Sequence, residues 1–127
     1  MNKVTLNIEN VPTQADFAST LAAHSWVAQF DCPDCPAIEL LQFRTAFSYL
    51  SLSRQRQTIN YRRSCYSLKH DCEDATGHYV SERAYILAAI MAGFTAKVRG
   101  PCCFLNLRDD AREHERIEML SRARKDT

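Results

Sequence analysis

Basic and aromatic side chains alternate in one stretch near the middle of the chain, TINYRRSCYSLKH at residues 58–70. Residues 40–70 hold six lysines and arginines and no aspartate or glutamate, although the whole chain is nearly balanced, with 16 basic and 15 acidic residues. Lysine and arginine neutralise phosphates, and an exposed tyrosine can stack on a base. The pattern predicts a basic face that binds nucleic acid or another acidic partner. We assign to this face Arg54, Arg56, Arg62, Arg63, Tyr66, Lys69, Lys97 and Arg99.

A second group that could bind a metal or do redox chemistry is the pair Cys32 and Cys35 in the segment CPDC. Two thiolates at this spacing can reach one zinc ion, and a tetrahedral site then needs two more ligands. Those ligands would have to come from distant positions, namely His70, Cys72, His78, Cys102 or Cys103. None of these forms a second regular ligand motif, so we expect no cofactor and keep zinc at Cys32 and Cys35 as the alternative. Otherwise the cysteines belong to an exposed turn and to the core.

The segment CPDCPAIELL, residues 32–41, is similar to the active site of glutaredoxins and thioredoxins, in which C-x-x-C opens a helix. It departs from that family because a predicted helix precedes the motif and no later proline precedes a strand as the family's cis-proline does. A thiol-redox role is therefore a less favoured alternative. The sequence also lacks G-x-S-x-G, a glycine-rich phosphate loop and H-E-x-x-H. We therefore predict that the protein is not an enzyme.

One domain must position these groups, because 127 residues of which 46% are apolar suffice for a single core. No stretch reaches the roughly 18 apolar residues that a membrane span needs. The longest apolar run is AYILAAIMAGF at residues 84–94, and the N-terminus has no apolar signal-peptide core. We predict a single domain over residues 1–127 that is cytoplasmic and has no membrane contact. In that compartment the six cysteines stay reduced.

Hydrophobic periodicity predicts the first half of the fold. VTLNIENV alternates with period two and predicts a strand at about residues 4–9. Thr13 with Asp16 predicts a helix start. A second helix begins at Pro36 and carries an apolar stripe as far as Leu50. The polar segment SLSRQRQT that follows is predicted to be a connection.

The second half is predicted to contain two helices, a hairpin and a charged helix. The expected bounds are a helix from Thr58 or Asn60 to Thr76, a helix at 82–92, a hairpin at 95–107, and a helix at about 109–125 capped by Asp109. The spacing of Cys65, Leu68 and Cys72 indicates the buried face of the first of these helices. The order β-α-α-α-α-β-β-α predicts an α+β domain, mainly helical, with an N-terminal strand and a C-terminal β-hairpin.

A helix, a short turn, a second helix and a hairpin also follow one another in the winged helix-turn-helix. The second helix of such a motif reads base edges with polar side chains. Here that helix, 82–92, offers only Ser81, Glu82, Arg83 and Tyr85. Because a helix that is apolar on all sides is buried, we expect it at the centre of the core. The basic face is then expected on helix 61–76 and the loop before it, with Lys97 and Arg99 of the hairpin as a wing.

Two motifs resemble a pattern found in small uncharacterised bacterial proteins. They are SCYSLKH at residues 64–70, and YVS followed by an apolar helix that ends in AGF. The similarity spans about residues 58–107, and the proteins that share it look like cargo of plasmids, phages and integrative elements. Accessory cargo of this size includes DNA-binding regulators and inhibitors of host defence, among them anti-CRISPR proteins. The resemblance implies that class of role and no mechanism. The chain departs from the pattern at Glu82 and Arg83, where those proteins favour Asn-Gly.

Two functions from different classes remain. In the first, the chain is a small regulatory protein that binds nucleic acid through the basic face. In the second, it inhibits a host nucleic-acid machine, as anti-CRISPR proteins do, by binding a protein. That contact would use the acidic segments 1–39 and 109–118 or the basic face. The identity of the partner and the oligomeric state stay open at this stage.

Overall fold

The computed structural model describes residues 12–126, with side chains through residue 123, and the strand predicted at residues 4–9 lies outside this range. The described part is one small α+β domain dominated by helices, as predicted, and it contains a three-stranded antiparallel sheet. The elements are α1 (Gln14–Ala23), a 3₁₀ helix (Ser25–Gln29), α2 (Pro36–Leu50), β1 (Gln55–Asn60), α3 (Cys65–Thr76), α4 (Glu82–Met91), β2 (Ala96–Arg99), β3 (Cys102–Leu107) and α5 (Ala111–Asp126).

Several helix ends lie where the sequence predicted them. Thr13 and Asp16 form a capping box at the start of α1, in which each side chain accepts a hydrogen bond from the other residue's backbone N–H. The Ser81 hydroxyl caps α4 by accepting from the N–H of Ala84. Gly77 ends α3 with φ of 76°, in the left-handed region that glycine enters without strain.

Three boundaries differ from the sequence prediction. The polar segment after α2 is strand β1 and not a connection; it is polar because it forms an exposed edge of the sheet. α3 begins later than predicted, because Ser64 caps it while the Asn60 side chain donates across the sheet to a backbone carbonyl of β3. The cap of α5 is Asp110 and not Asp109, since an Asp110 carboxylate oxygen accepts a backbone N–H of the first turn at 2.8 Å.

The sheet has the strand order β1-β3-β2, and both neighbouring pairs are antiparallel. The turn between β2 and β3 is the predicted Gly-Pro pair at 100–101. Successive side chains of a strand point to opposite faces. Cys103, Leu105 and Leu107 of the central strand β3 are buried on the core side, whereas Phe104 lies on the other side and is half-buried.

Helix α4 is the centre of the core, as its apolar sequence predicted. Residues 84–89 are all buried, and the helix packs mainly against α2. α1 and the 3₁₀ helix cover another side of α4 and bring Phe17, Val27 and Phe30 into the core. Each large apolar side chain buried in this way contributes roughly 1.5–3 kcal/mol. None of the helices among residues 12–126 combines the length and the apolar character that crossing a bilayer requires.

Candidate nucleic-acid interface

Lys69 does not belong to an exposed face, which corrects the sequence prediction. Only 3% of the residue is exposed, and its Nζ lies 2.9 Å from a carboxylate oxygen of Glu73, one turn further along α3. The same Nζ lies 4.6 Å from the ring centroid of Tyr79 and 5.5 Å from that of Tyr66. The ammonium is therefore paired and packed against rings inside the protein, where a phosphate cannot reach it.

Glu73 organises the surroundings of this lysine. Besides the Lys69 ammonium, its carboxylate accepts the backbone N–H of Val80 at 3.1 Å and lies 2.9 Å from Nδ1 of His70. Burial raises the pKa of Glu73, but the hydrogen bonds from Lys69, Val80 and His70 together outweigh burial and hold the pKa below its ordinary value. The carboxylate thus ties α3 to the segment that leads into α4, which is a structural role.

Arg63 is also engaged within the protein and is not free to form a basic face. Its guanidinium donates to both carboxylate oxygens of Asp71, at 2.7 and 3.0 Å, and lies 3.4 Å from Asp109. The hydrogen bonds to Asp71 raise the pKa of Arg63 in spite of partial burial. Because two carboxylates neutralise it, Arg63 holds the segment before α5 against α3, and the sequence prediction for this residue is corrected.

The acidic partners of Arg63 also approach a histidine. Asp71, Asp109 and His114 each bring one metal-ligating atom within 4.8 Å of the others, and the His114 ring is hydrogen-bonded to Asp109. The Arg63 guanidinium already bonds both carboxylates, so a metal ion would have to displace a favourable charge. We interpret the group as an ion-paired structural cluster.

Other predicted cations gather on the side of the sheet that faces away from the core. In the pairing of β2 with β3, Lys97 lies opposite Phe104 and Arg99 lies opposite Cys102. Residues directly opposite each other share a face of the sheet, and the intervening Cys103 is buried on the core side. Lys97 and Arg99 are both exposed. We call the resulting surface the outer sheet face, made by Lys97, Arg99, Phe104 and Tyr61.

Tyr61 contacts both a cation and the other aromatic ring of the outer sheet face. It follows β1 directly, and 41% of it is exposed. The guanidinium carbon of Arg99 lies 3.9 Å from the centroid of the Tyr61 ring, and that centroid lies 5.3 Å from the centroid of Phe104 at an interplanar angle of 60°. A cation held over an aromatic ring beside a second ring gives a preorganised surface. Such a surface offers charge to a phosphate and partly exposed aromatic and guanidinium surfaces to a base.

Two further predicted cations belong to β1 and to the turn that follows it. Arg56 and Arg62 are exposed and, together with Arg108, line a cleft of about 250 Å³. Arg108 is 3.4 Å from Asp110, an acid that also lines the cleft. Neither Arg56 nor Arg62 pairs with a carboxylate of residues 12–123, and the same holds for the two cations of β2. Their charge is available to a ligand.

Two predicted members are exposed but lie away from the outer sheet face. Arg54 precedes β1, and its backbone N–H donates to Glu113. Hydrogen bonds from Arg116 lower the pKa of Glu113, and the Arg54 charge adds to that effect. Tyr66 is 58% exposed on α3, where its ring meets that of His70 at 5.1 Å between centroids. Because α3 packs on the core side of the sheet, Tyr66 cannot contribute to the opposite face.

Arg83, Tyr85 and the capping residue Ser81 of α4 are engaged or buried within the protein, and Glu82 is half-buried. The Arg83 guanidinium donates to the buried Glu39 carboxylate of α2, with Nε 2.7 Å from the oxygen. Tyr85 is fully inside the core, and the buried Ser81 is committed to the helix cap. This helix therefore presents no set of side chains that could read base edges, as its sequence indicated.

The geometry does not complete a zinc site at the predicted cysteines. Cys32 is half-buried and Cys35 is exposed just before α2. Within the part of the chain that the structure describes, no set of three or more potential ligands includes either thiol. Cys65 and Cys72 are buried in the core, as their spacing predicted, and burial is the main cause that raises the pKa of the Cys72 thiol to about 12. Such a thiol is protonated at neutral pH and behaves as a small apolar group.

Comparisons of the chain with protein-family models, curated proteins and solved structures found no match. The functional conclusion therefore depends on the geometry of the outer sheet face. The sequence prediction included Lys97 and Arg99 of this face but missed Phe104 and Tyr61. The available signal was the period-two alternation of AKVR and CCFLNL, which puts Lys97, Arg99 and Phe104 on one side of a hairpin.

Proposed function

We propose that this protein is a non-enzymatic nucleic-acid-binding protein that holds a single strand across its outer sheet face. The observation that carries the proposal is the arrangement of Arg99 over Tyr61, with Phe104 beside that ring and Lys97 opposite Phe104 in the sheet. Cations near partly exposed rings match the two needs of single-strand binding, which are neutralised phosphates and stacked bases.

The same geometry favours a single strand over a duplex. Aromatic side chains can stack only on bases that are not already stacked within a helix. A protein that reads duplex DNA usually inserts a helix with free polar side chains into the major groove. In α4, Tyr85 is buried, Arg83 is bonded to Glu39 and Glu82 is half-buried. The exposed Arg56 and Arg62, which line a cleft with Arg108, Asp109 and Asp110, would add contacts to the phosphate backbone.

We further propose that the domain has winged-helix topology. The succession α2-β1-α3-α4-β2-β3 and the strand order β1-β3-β2 support this proposal. In such a domain α4 would be the reading helix and the β2–β3 hairpin the wing. Since α1 and the 3₁₀ helix pack against α4, this domain would bind through its wing and the outer sheet face instead.

A salt series on a fluorescently labelled short single strand, read by anisotropy, tests the proposal. Four exposed cations, Lys97, Arg99, Arg56 and Arg62, each release about 0.7 counterions from a single strand. The affinity should therefore fall about 50-fold between 50 and 200 mM salt. A duplex of the same sequence should bind more weakly at every salt concentration. The proposal is wrong if no single strand of DNA or RNA binds at 50 mM salt, or if the duplex binds more tightly.

A further inference from the structure

A groove of about 640 Å³ opens beside the free edge of β2, between that strand, the 3₁₀ helix and the end of α4. Its volume lies in the range of small-ligand sites, roughly 300–1,000 Å³. Most of its lining is apolar and includes Phe94 and Val98, while Trp26, His24 and Gln29 come from the segment around the 3₁₀ helix. A mostly apolar groove with an aromatic wall and a few polar groups suits a flat heteroaromatic ligand.

Lys97 connects this groove to the outer sheet face. It lines the groove, and it also lies opposite Phe104 in the pairing that forms the outer sheet face. In a nucleic acid the phosphates and the bases of one strand are joined through a short sugar link. A phosphate held at Lys97 therefore brings a neighbouring base to the mouth of the groove.

The groove residues are positioned to receive a base. Trp26 is half-buried and is fixed edge-on by Phe30, with the ring centroids 6.3 Å apart. The His24 ring lies at a similar distance from Trp26, and its Nδ1 is 3.0 Å from the Thr20 carbonyl. A carbonyl can only accept, so Nδ1 donates, and in the Nδ1–H tautomer Nε2 is an acceptor. Gln29 adds an exposed side chain that can both donate and accept.

We infer that the groove is a nucleobase pocket that takes one base, turned out of the strand bound on the outer sheet face, against Trp26. This inference rests on the proposed function and deepens it. The positive charge of Lys97 at the rim would pair with the phosphate of the same nucleotide, and the apolar wall would pack against the base. The pocket would give the protein contacts to base edges, through His24 and Gln29, that the outer sheet face alone does not offer.

Trp26 is the single tryptophan of the chain, so its fluorescence reports on the groove directly. Two probes are used with the wild-type protein: a short single strand of mixed sequence, and a strand of equal length with abasic sugars throughout. Binding of each is measured independently by anisotropy of a terminal label. We expect the base-bearing strand to quench or shift the Trp26 emission as it binds. The abasic strand should leave the emission unchanged.

A variant supplies the second readout. Trp26→Leu should weaken binding of the base-bearing strand by about five-fold or more, the effect of losing one stacked base, and should leave the abasic strand unaffected. Circular dichroism confirms that the variant is folded. If Trp26→Leu does not fold, the emission of the wild-type protein still decides the matter.

Two results would overturn the inference and separate it from the proposed function. If the base-bearing strand binds with the expected salt dependence while the Trp26 emission does not change, the pocket is refuted and the outer sheet face stands. If neither strand binds, both proposals fail together.

Discussion

Glu73→Ala should destabilise the protein by about 2–4 kcal/mol, because it leaves the Lys69 ammonium inside the protein without its counter-ion. Lys69 is 3% exposed, and its Nζ lies 2.9 Å from the Glu73 carboxylate. Removing one member of a fully buried ion pair costs roughly 3–5 kcal/mol. We expect a slightly smaller value because 17% of the Glu73 side chain is exposed and the rings of Tyr66 and Tyr79 still stabilise the cation.

Lys69→Met is the matched comparison, since it removes the charge and keeps most of the side-chain volume. Replacing a whole buried ion pair by apolar groups is often neutral, whereas removing one member costs most when the charge left behind is fully buried. The Glu73 carboxylate would still accept from the Val80 N–H and contact His70. Because the carboxylate keeps these partners and is 17% exposed, we expect Lys69→Met to cost less than Glu73→Ala. It should also leave nucleic-acid binding unchanged, because Lys69 cannot reach a ligand.

Urea denaturation followed by circular dichroism measures both variants. At a slope of about 2 kcal/mol per molar urea, the loss expected for Glu73→Ala lowers the unfolding midpoint by about 1–2 M. A cost below 1 kcal/mol for Glu73→Ala would mean that Lys69 is solvated in the native protein, and the reasoning about its burial would be refuted. A Lys69→Met variant that binds nucleic acid more weakly than wild type would refute it as well.

Three further outcomes follow from the structure. Leu68→Ala deletes a buried side chain and should lower the free energy of unfolding by about 2–5 kcal/mol in urea denaturation. Arg62→Ala changes an exposed residue and should lower it by less than about 0.5 kcal/mol. Similar losses would contradict the burial of Leu68. The pKa of Glu73 is held below its ordinary value of 4.5, so its carboxylate stabilises the fold above that pH and the stabilisation is lost as the pH falls further. Urea midpoints between pH 7 and pH 3 should therefore fall less in Glu73→Gln than in wild type, and equal falls would count against this role. Metal analysis of protein purified without chelator should find far less than one zinc per chain, because no third ligand joins Cys32 and Cys35 among the described residues; stoichiometric zinc would overturn this expectation.

The burial of Lys69 could have been predicted from the sequence. It lies four residues after Cys65 and three before Cys72, so the helical repeat puts it on the same side as those buried thiols. A lysine is seldom fully buried unless it is paired. The sequence prediction followed this general preference and put Lys69 on an exposed face, against the helical repeat. The pairing of Arg63 with Asp109 could not be predicted in this way, because these residues are 46 positions apart and meet only in the folded chain.

The sequence did not predict strand β1, because its pairing with β3 joins residues that are far apart in the chain. Its sequence, QRQTIN, lacks the alternation of a half-buried strand because it is an exposed edge, paired on one side only. The sequence prediction therefore contained only the two-stranded hairpin at 95–107 and placed Tyr61 at the start of a helix. The position of Tyr61 beside Phe104 depends on the pairing of β1 with β3. Long-range strand pairing of this kind is not encoded in local periodicity.

Helices with strong local signals were predicted well. α2 begins at Pro36 and α4 is bounded by the Ser81 cap, as the sequence indicated. In the candidate site, the exposure of Arg56 and Arg62 was also predicted correctly, although Arg56 was expected in a connection and Arg62 on a helix. Composition identified the basic side chains, but only the fold separates those bonded inside the protein from those free to meet a ligand.

The most direct test of the account compares Arg99→Glu with Arg122→Glu in single-strand binding at low salt. Each substitution reverses one exposed charge, but Arg99 lies over Tyr61 on the outer sheet face, whereas Arg122 lies on α5 beside Glu118. The account predicts that Arg99→Glu lowers affinity by on the order of ten-fold and reduces the salt dependence by about one phosphate contact. Arg122→Glu should change affinity by less than about two-fold. Equal effects of the two substitutions would contradict the assignment of binding to the outer sheet face.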